Sequence, residues 1–198
     1  LSDARKQTAG QLETAMTAEL STLAFEDASI EVKFGETELN STNVRSTGLD
    51  RVEFFFGANP GEPPRPLIKI ASGGELSRLM LAMKCLLAKK DMVETIIFDE
   101  VDAGIGGEAA EAVAKKIREL ADHHQVICIT HLPQIAARGT EHLVVEKAVV
   151  NGRTQSMVKT LSEEHRVTEL ARMLAGSSPT QQTQAWASEL LNKGKAAA

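Results

Sequence analysis

Two short apolar runs punctuate the chain. Thr95-Ile96-Ile97-Phe98 stops abruptly at Asp99-Glu100, and Gln125-Val126-Ile127-Cys128-Ile129 stops at Thr130-His131. A continuous apolar run bounded by polar residues reads as a strand buried on both faces, as in a parallel sheet. Between and around them the pattern is helical. Apolar positions 76, 79, 80, 83, 86 and 87 share a helical stripe that places Ser72-Gly73-Gly74 at a helix start, and a further helix is expected near 107–122. Residues 1 to about 24 carry Leu1, Ala4, Thr8, Leu12, Met16, Leu20 and Leu23 along one stripe. Ile30, Val32 and Phe34 alternate with polar neighbours, as do Val52, Phe54 and Phe56, so two half-buried strands flank the polar stretch 36–49. Glycines and prolines between 57 and 66 predict irregular structure. Val144-Val145 and Met157-Val158 predict two later strands joined at Asn151-Gly152, a strong turn dipeptide. Helices near 163–175 and 180–192 complete an α/β chain, with Trp186 as the anchor that docks the last of them.

The two strand ends carry the chemistry. In open α/β sheets ligands bind just beyond the carboxyl ends of the strands. Adjacent strand residues point to opposite sides, so one of Asp99 and Glu100 can serve a magnesium ion while the other faces a reacting water. Alone, such a pair is only a strand ending in solvent. Ser72 is a suitable N-cap, and the glycines after it let backbone N–H groups approach a phosphate at a helix N-terminus. Alone, that is an ordinary capped helix. A single histidine after a strand is usually structural, but His131 follows the acidic strand by one helix length and falls at the same sheet edge. Between the two strands, Val101-Asp102-Ala103-Gly104-Ile105-Gly106-Gly107 forms a glycine-rich loop with one more acid.

These elements, in this order, resemble the ABC-type ATPases: a signature turn Ser72-Gly73-Gly74-Glu75, a Walker B strand ending in Asp99-Glu100, a D-loop around Asp102 and a switch histidine, His131. Longer strings narrow the resemblance to the RecN family, bacterial DNA-repair relatives of the SMC proteins. They are Asn59-Pro60-Gly61-Glu62-Pro63-Pro64, Ile70 to Arg78, Phe98 to Ile105, Thr130 to Ala136 and Glu169 to Gly176. The resemblance implies the C-terminal lobe of an SMC-type ATPase head, a mostly parallel sheet flanked by helices. Residues 1–25 would be the end of a returning coiled-coil arm and residues 26–198 the lobe itself. It further implies Mg2+ held by Asp99 through water, with Glu100 as general base and His131 at the γ-phosphate. Ser72, Gly73, Gly74 and Glu75 would serve the ATP of a second head in an ATP-dependent homodimer, and Asp102 would link the two sites across that interface. Hydrolysis would drive head release during recombinational double-strand-break repair in the bacterial cytoplasm, at the nucleoid, with DNA bound through the complete protein. Other readings are an ATPase subunit of a transporter or another SMC-like protein, or a non-catalytic dimerisation lobe.

An absence sharpens this expectation. No Gly-x-x-x-x-Gly-Lys-Ser/Thr phosphate loop occurs in the 198 residues. The resemblance puts that loop in an N-terminal lobe beyond a long coiled coil, so the chain is expected to be the C-terminal part of a longer protein and inactive alone. Composition adds little to this. No apolar run approaches the ~18 residues of a membrane span, and no signal sequence opens the chain. The two cysteines are expected as packed free thiols, one on the apolar face of the signature helix and one in a buried strand. A net charge of −5 argues against a broad DNA-binding face, and pairs such as Lys115-Lys116 read as solvated helix positions.

Overall fold

The computed structural model describes residues 1–25, 27–35, 43–59, 61–70, 72–150 and 152–196. Helix α1 (Ser2–Ser21) opens the chain and is followed by an antiparallel sheet of β1 (Ser29–Gly35), β2 (Arg51–Gly57) and β3 (Arg65–Pro66). The alternating residues foreseen in the sequence face one another in register: Ile30 opposite Phe56, Val32 opposite Phe54, Phe34 opposite Val52. That shared face lies against α1, whose Ala9, Met16 and Leu20 are buried. The start of α1 is clamped to the loop before β2, since Asp50 accepts from Ser2 Oγ at 2.6 Å and from Arg5 Nη1 at 2.7 Å. The last buried turns of α1 are therefore continuous with the core of the lobe, while Leu1, Ala4 and Thr8 of the expected stripe are exposed.

Helix α2 (Gly73–Leu87) leads to β4 (Thr95–Phe98), α3 (Gly107–Leu120) and β5 (Gln125–Cys128), a right-sized unit for a parallel strand pair. The pair is parallel and in register from Thr95 opposite Gln125 to Phe98 opposite Cys128. A short helix α4 (Pro133–Ala136), which the sequence did not announce, turns the chain towards the antiparallel ribbon β6 (Leu143–Val150) and β7 (Arg153–Thr160). Val145 stands opposite Val158 in that ribbon, and Gly152 takes a φ of 74° at its turn; Asn151 lies outside the described residues, as do residues 36–42 of the polar stretch 36–49. Helices α5 (Glu163–Ala175) and α6 (Gln181–Ala196) pack on each other. One core unites Met16, Leu20, Leu23, Phe25, Phe56, Leu79, Leu81, Phe98, Val101, Val113 and Ile135. A smaller one joins Ala137, Leu170, Ala171, Ala187 and Leu191.

Four expectations change. The apolar runs of β4 and β5 are covered on one face only: Ile96 and Phe98 are buried, whereas Ile97, Ile127 and Ile129 are 64%, 43% and 57% exposed. Nothing among the described residues supplies the second layer that such runs imply. On α2 the buried side is Gly74, Arg78, Leu79, Leu81 and Ala82, while Leu76, Met80, Leu86 and Leu87 of the expected stripe face outward. The helix is apolar on two sides, and periodicity cannot say which side meets α1 and α3. Trp186 is 67% exposed, and α6 docks instead through Ala187, Leu191 and Gly194, the last against the Ala137 carbonyl. Lys116 is not solvated: its ammonium lies 2.7 Å from Glu19 of α1, with both side chains mostly covered.

Candidate functional site

The parallel pairing of β4 and β5 brings their carboxyl ends side by side, and the Ile129 N–H donates to the Phe98 carbonyl at 2.9 Å to extend the ladder by one bond. Asp99 and Glu100 leave the end of β4, and Thr130 and His131 follow the end of β5, so all four share one sheet edge. Asp99 and Glu100 are exposed. Glu100 adopts a φ of 58°, a left-handed conformation that costs a side-chain-bearing residue energy and persists where surrounding structure imposes it.

The signature turn is bound to the same edge. Ser72 is the N-cap of α2, its hydroxyl accepting from the Glu75 N–H at 3.3 Å, the first half of a Ser-x-x-Glu capping box. One turn further, Ser77 Oγ donates to the Asp99 carbonyl at 2.7 Å. Arg78, only 7% exposed, donates from Nη1 to the Ala103 carbonyl at 2.9 Å and lays its guanidinium 5.0 Å from the Phe25 ring centroid. Burial lowers the Arg78 guanidinium from its usual range, and the cation is held by a carbonyl and an aromatic face in place of water. The Glu100 carboxylate rests against Gly73, where a Cβ would collide with it. A Cβ on Gly74 would meet Ala103 Cβ at 2.9 Å and its carbonyl oxygen at 3.0 Å. Both glycines thus permit the helix start to sit directly on the loop that follows β4.

Asp102 lies inside the chain, in the loop after β4. It is 4% exposed, and its Oδ2 accepts from Thr130 Oγ1 at 2.6 Å and from the His131 N–H at 2.8 Å; His131 Nδ1 lies 2.9 Å from the same oxygen. The carboxylate is engaged by Thr130 and His131 of the same chain. The His131 side chain itself is 72% exposed. Ser77, Arg78 and Thr130 were not singled out from the sequence. A charged residue between buried positions of an amphipathic helix, and a hydroxyl beside the candidate histidine, were the signals available.

Among the described residues no three His, Cys, Asp or Glu side chains converge as a metal cage. A single exposed carboxylate at Asp99 suits magnesium none the less, since that ion keeps several waters and takes one or two carboxylates plus substrate phosphates. No described helix is long and apolar enough to cross a membrane. The two thiols are free, and burial pushes both Cys85 and Cys128 up to about 12.

No protein-family model matches the chain. It is 46% identical over 192 residues to the DNA repair protein RecN of Halalkalibacterium halodurans, a match covering 97% of this chain and 34% of that protein. The RecN protein of Bacillus subtilis is 42% identical over 204 residues, covering 98% and 35%, and that of Treponema pallidum 52% identical over 147 residues, covering 74% and 26%. The chain thus spans about a third of the length of these relatives. In fold it is similar to the Smc head domain of Pyrococcus yayanosii, with a TM-score of 0.56 at 20% identity over 84% of this chain and 29% of that one. It is also similar to an SMC ATPase chain studied for ATP-driven dimerization and DNA-stimulated activation, with a TM-score of 0.51 at 19% identity over 89% of this chain and 99% of that one. The chain belongs to the RecN family, as a C-terminal segment of its members, and has the α/β fold of an SMC-type head lobe.

Proposed function

We propose that the chain contributes half of each of two composite ATPase sites in a RecN-type DNA-repair ATPase. The observation that carries this reading is the shared sheet edge: Asp99, Glu100 and His131 stand together there, with the signature turn tied to the same edge through Ser77 and Arg78. Glu100 takes the proton from the attacking water as general base. Asp99 would hold a hydrated magnesium ion, which would neutralise charge on the substrate phosphates. His131 reaches a γ-phosphate oxygen. Ser72, Gly73, Gly74 and Glu75 form the helix start of α2 that meets the ATP of a second head, because a helix N-terminus favours anionic groups.

Two features support a missing partner lobe. The sequence has no phosphate loop, and the outer face of β4 and β5 leaves Ile97, Ile127 and Ile129 open. In this reading an N-terminal P-loop lobe of the same protein covers that face. Residues 1–25 are the end of the returning arm and 26–198 the lobe. Two such heads close over two ATP molecules as a homodimer, and hydrolysis reopens them during recombinational double-strand-break repair, with DNA held by the complete protein at the bacterial nucleoid.

The test is Glu100→Gln in the complete protein. Glutamine keeps the shape and an acceptor oxygen but takes no proton. Hydrolysis is expected to fall by about 10²–10⁴-fold while ATP-dependent dimers, sized by light scattering, persist. A wild-type rate removes Glu100 as the base.

A further inference from the structure

Asp102 is a buried carboxylate with a specific arrangement of donors. Its Oδ2 collects the Thr130 hydroxyl at 2.6 Å, the His131 backbone N–H at 2.8 Å and His131 Nδ1 at 2.9 Å. Thr130 Oγ1 in turn accepts from the Leu132 N–H at 3.0 Å, so the hydroxyl has a fixed direction and its proton points at Asp102. Closing the loop after β5 needs only the hydroxyl and the backbone N–H. The ring contact is additional to them, and it is made by a side chain that is otherwise 72% exposed.

We propose that Asp102 is the positioning residue of His131, holding the ring by Nδ1 so that Nε2 alone is presented to the nucleotide. A carboxylate only accepts, so Nδ1 carries a proton. The ring nitrogen left free is Nε2, and to donate to a phosphoryl oxygen the ring must carry its second proton there. The buried Asp102 carboxylate thereby fixes the tautomer and the ring direction, as second carboxylates do. Asp102 sits on the turn that Arg78 grips through Ala103, so the ring is aimed from a support fixed to the signature helix. This inference rests on the reading of His131 as the residue facing the γ-phosphate.

The experiment uses the complete protein, P-loop segment included, and steady-state ATP hydrolysis. Asp102→Asn retains an oxygen for Thr130 and for the backbone N–H but removes the charge. Its kcat is expected to fall about 10- to 100-fold, the usual range for losing an outer partner, with KM for ATP little changed. The double variant with His131→Ala should be no slower than His131→Ala alone, because Asp102 acts only through the ring. A wild-type kcat in Asp102→Asn, or effects that multiply in the double variant, overturns the proposal. An independent readout is the imidazole nitrogen spectrum of histidine-labelled protein without nucleotide. It should report His131 protonated at Nδ1, and redistributed towards Nε2 in Asp102→Ala. An unchanged spectrum would also overturn it. If instead the ring spectrum behaves as expected but His131→Ala hydrolyses at the wild-type rate, the fault lies in the reading of His131 as nucleotide-facing.

Discussion

At the scale of single residues, contact between the signature turn and the loop after β4 depends on what is missing from Gly73 and Gly74. Ser72 can serve both as a cap and, under the proposed function, at the nucleotide. It caps α2, which is worth about 0.5–2 kcal/mol, and in the proposed composite site the same position at the helix start would meet a phosphate. The cysteines illustrate burial acting on chemistry. At Cys85 burial acts first, then Glu19; at Cys128 burial acts first, then Asp102 and Asp99; each thiol rises from an ordinary 9.0 to about 12. A raised folded value means that the native chain holds these protons more tightly than the unfolded chain. The corresponding stability is complete below the unfolded value and is lost as pH rises from about 9 towards about 12. Urea unfolding across that window should therefore show a steeper decline for the native chain than for a Cys85→Ala, Cys128→Ala variant. Parallel curves would mean that the thiols contribute nothing to alkaline unfolding.

At the scale of elements, the docking of α6 turns on a residue without a side chain. Gly194 is buried, and a Cβ there would run into the Ala137 carbonyl and stand 2.8 Å from its carbon. Backbone at that point is held by the α4 turn, where the Ala137 N–H donates to the Pro133 carbonyl at 2.9 Å, so it cannot yield cheaply. Gly194→Ala gains helix propensity but overpacks the junction, and a net loss of about 1–3 kcal/mol is expected. Thermal unfolding checks this: an unchanged or raised Tm would show that α6 can slide on α5 without cost. Trp186, by contrast, is largely exposed on the same helix, so Trp186→Ala should cost far less than Gly194→Ala.

At the scale of the whole molecule, this lobe has two cores and apolar surface left open. The exposed face of β4 and β5, the outward stripe of α2 and the ribbon β6–β7 with Val145, Val149 and Val158 exposed form apolar surface that isolated domains usually cover. The purified 198-residue chain is accordingly expected to show negligible ATP turnover and weak ATP binding. Co-expression with a P-loop-bearing segment of the same protein should restore turnover and raise the unfolding temperature, since a partner that binds only the folded lobe stabilises it. Robust hydrolysis, or micromolar ATP affinity, by the chain alone would contradict the division of the site between two lobes.

The sequence by itself determined the elements and the order of the chemistry. Alternation marked Ile30, Val32 and Phe34, and Val52, Phe54 and Phe56, as two half-buried strands, and two apolar runs ending in acids and in a histidine put Asp99, Glu100 and His131 at one sheet edge. These patterns are legible because period and run length follow from local backbone geometry. Tertiary structure alone decided which side of a doubly apolar α2 is buried, that Arg78 rather than a leucine lies beneath the signature turn, and that Asp102 faces inward to His131. Those outcomes depend on what packs across from each residue, 25 or more positions away in the chain for Arg78 with Ala103 and Asp102 with His131. No local pattern encodes a partner at that distance.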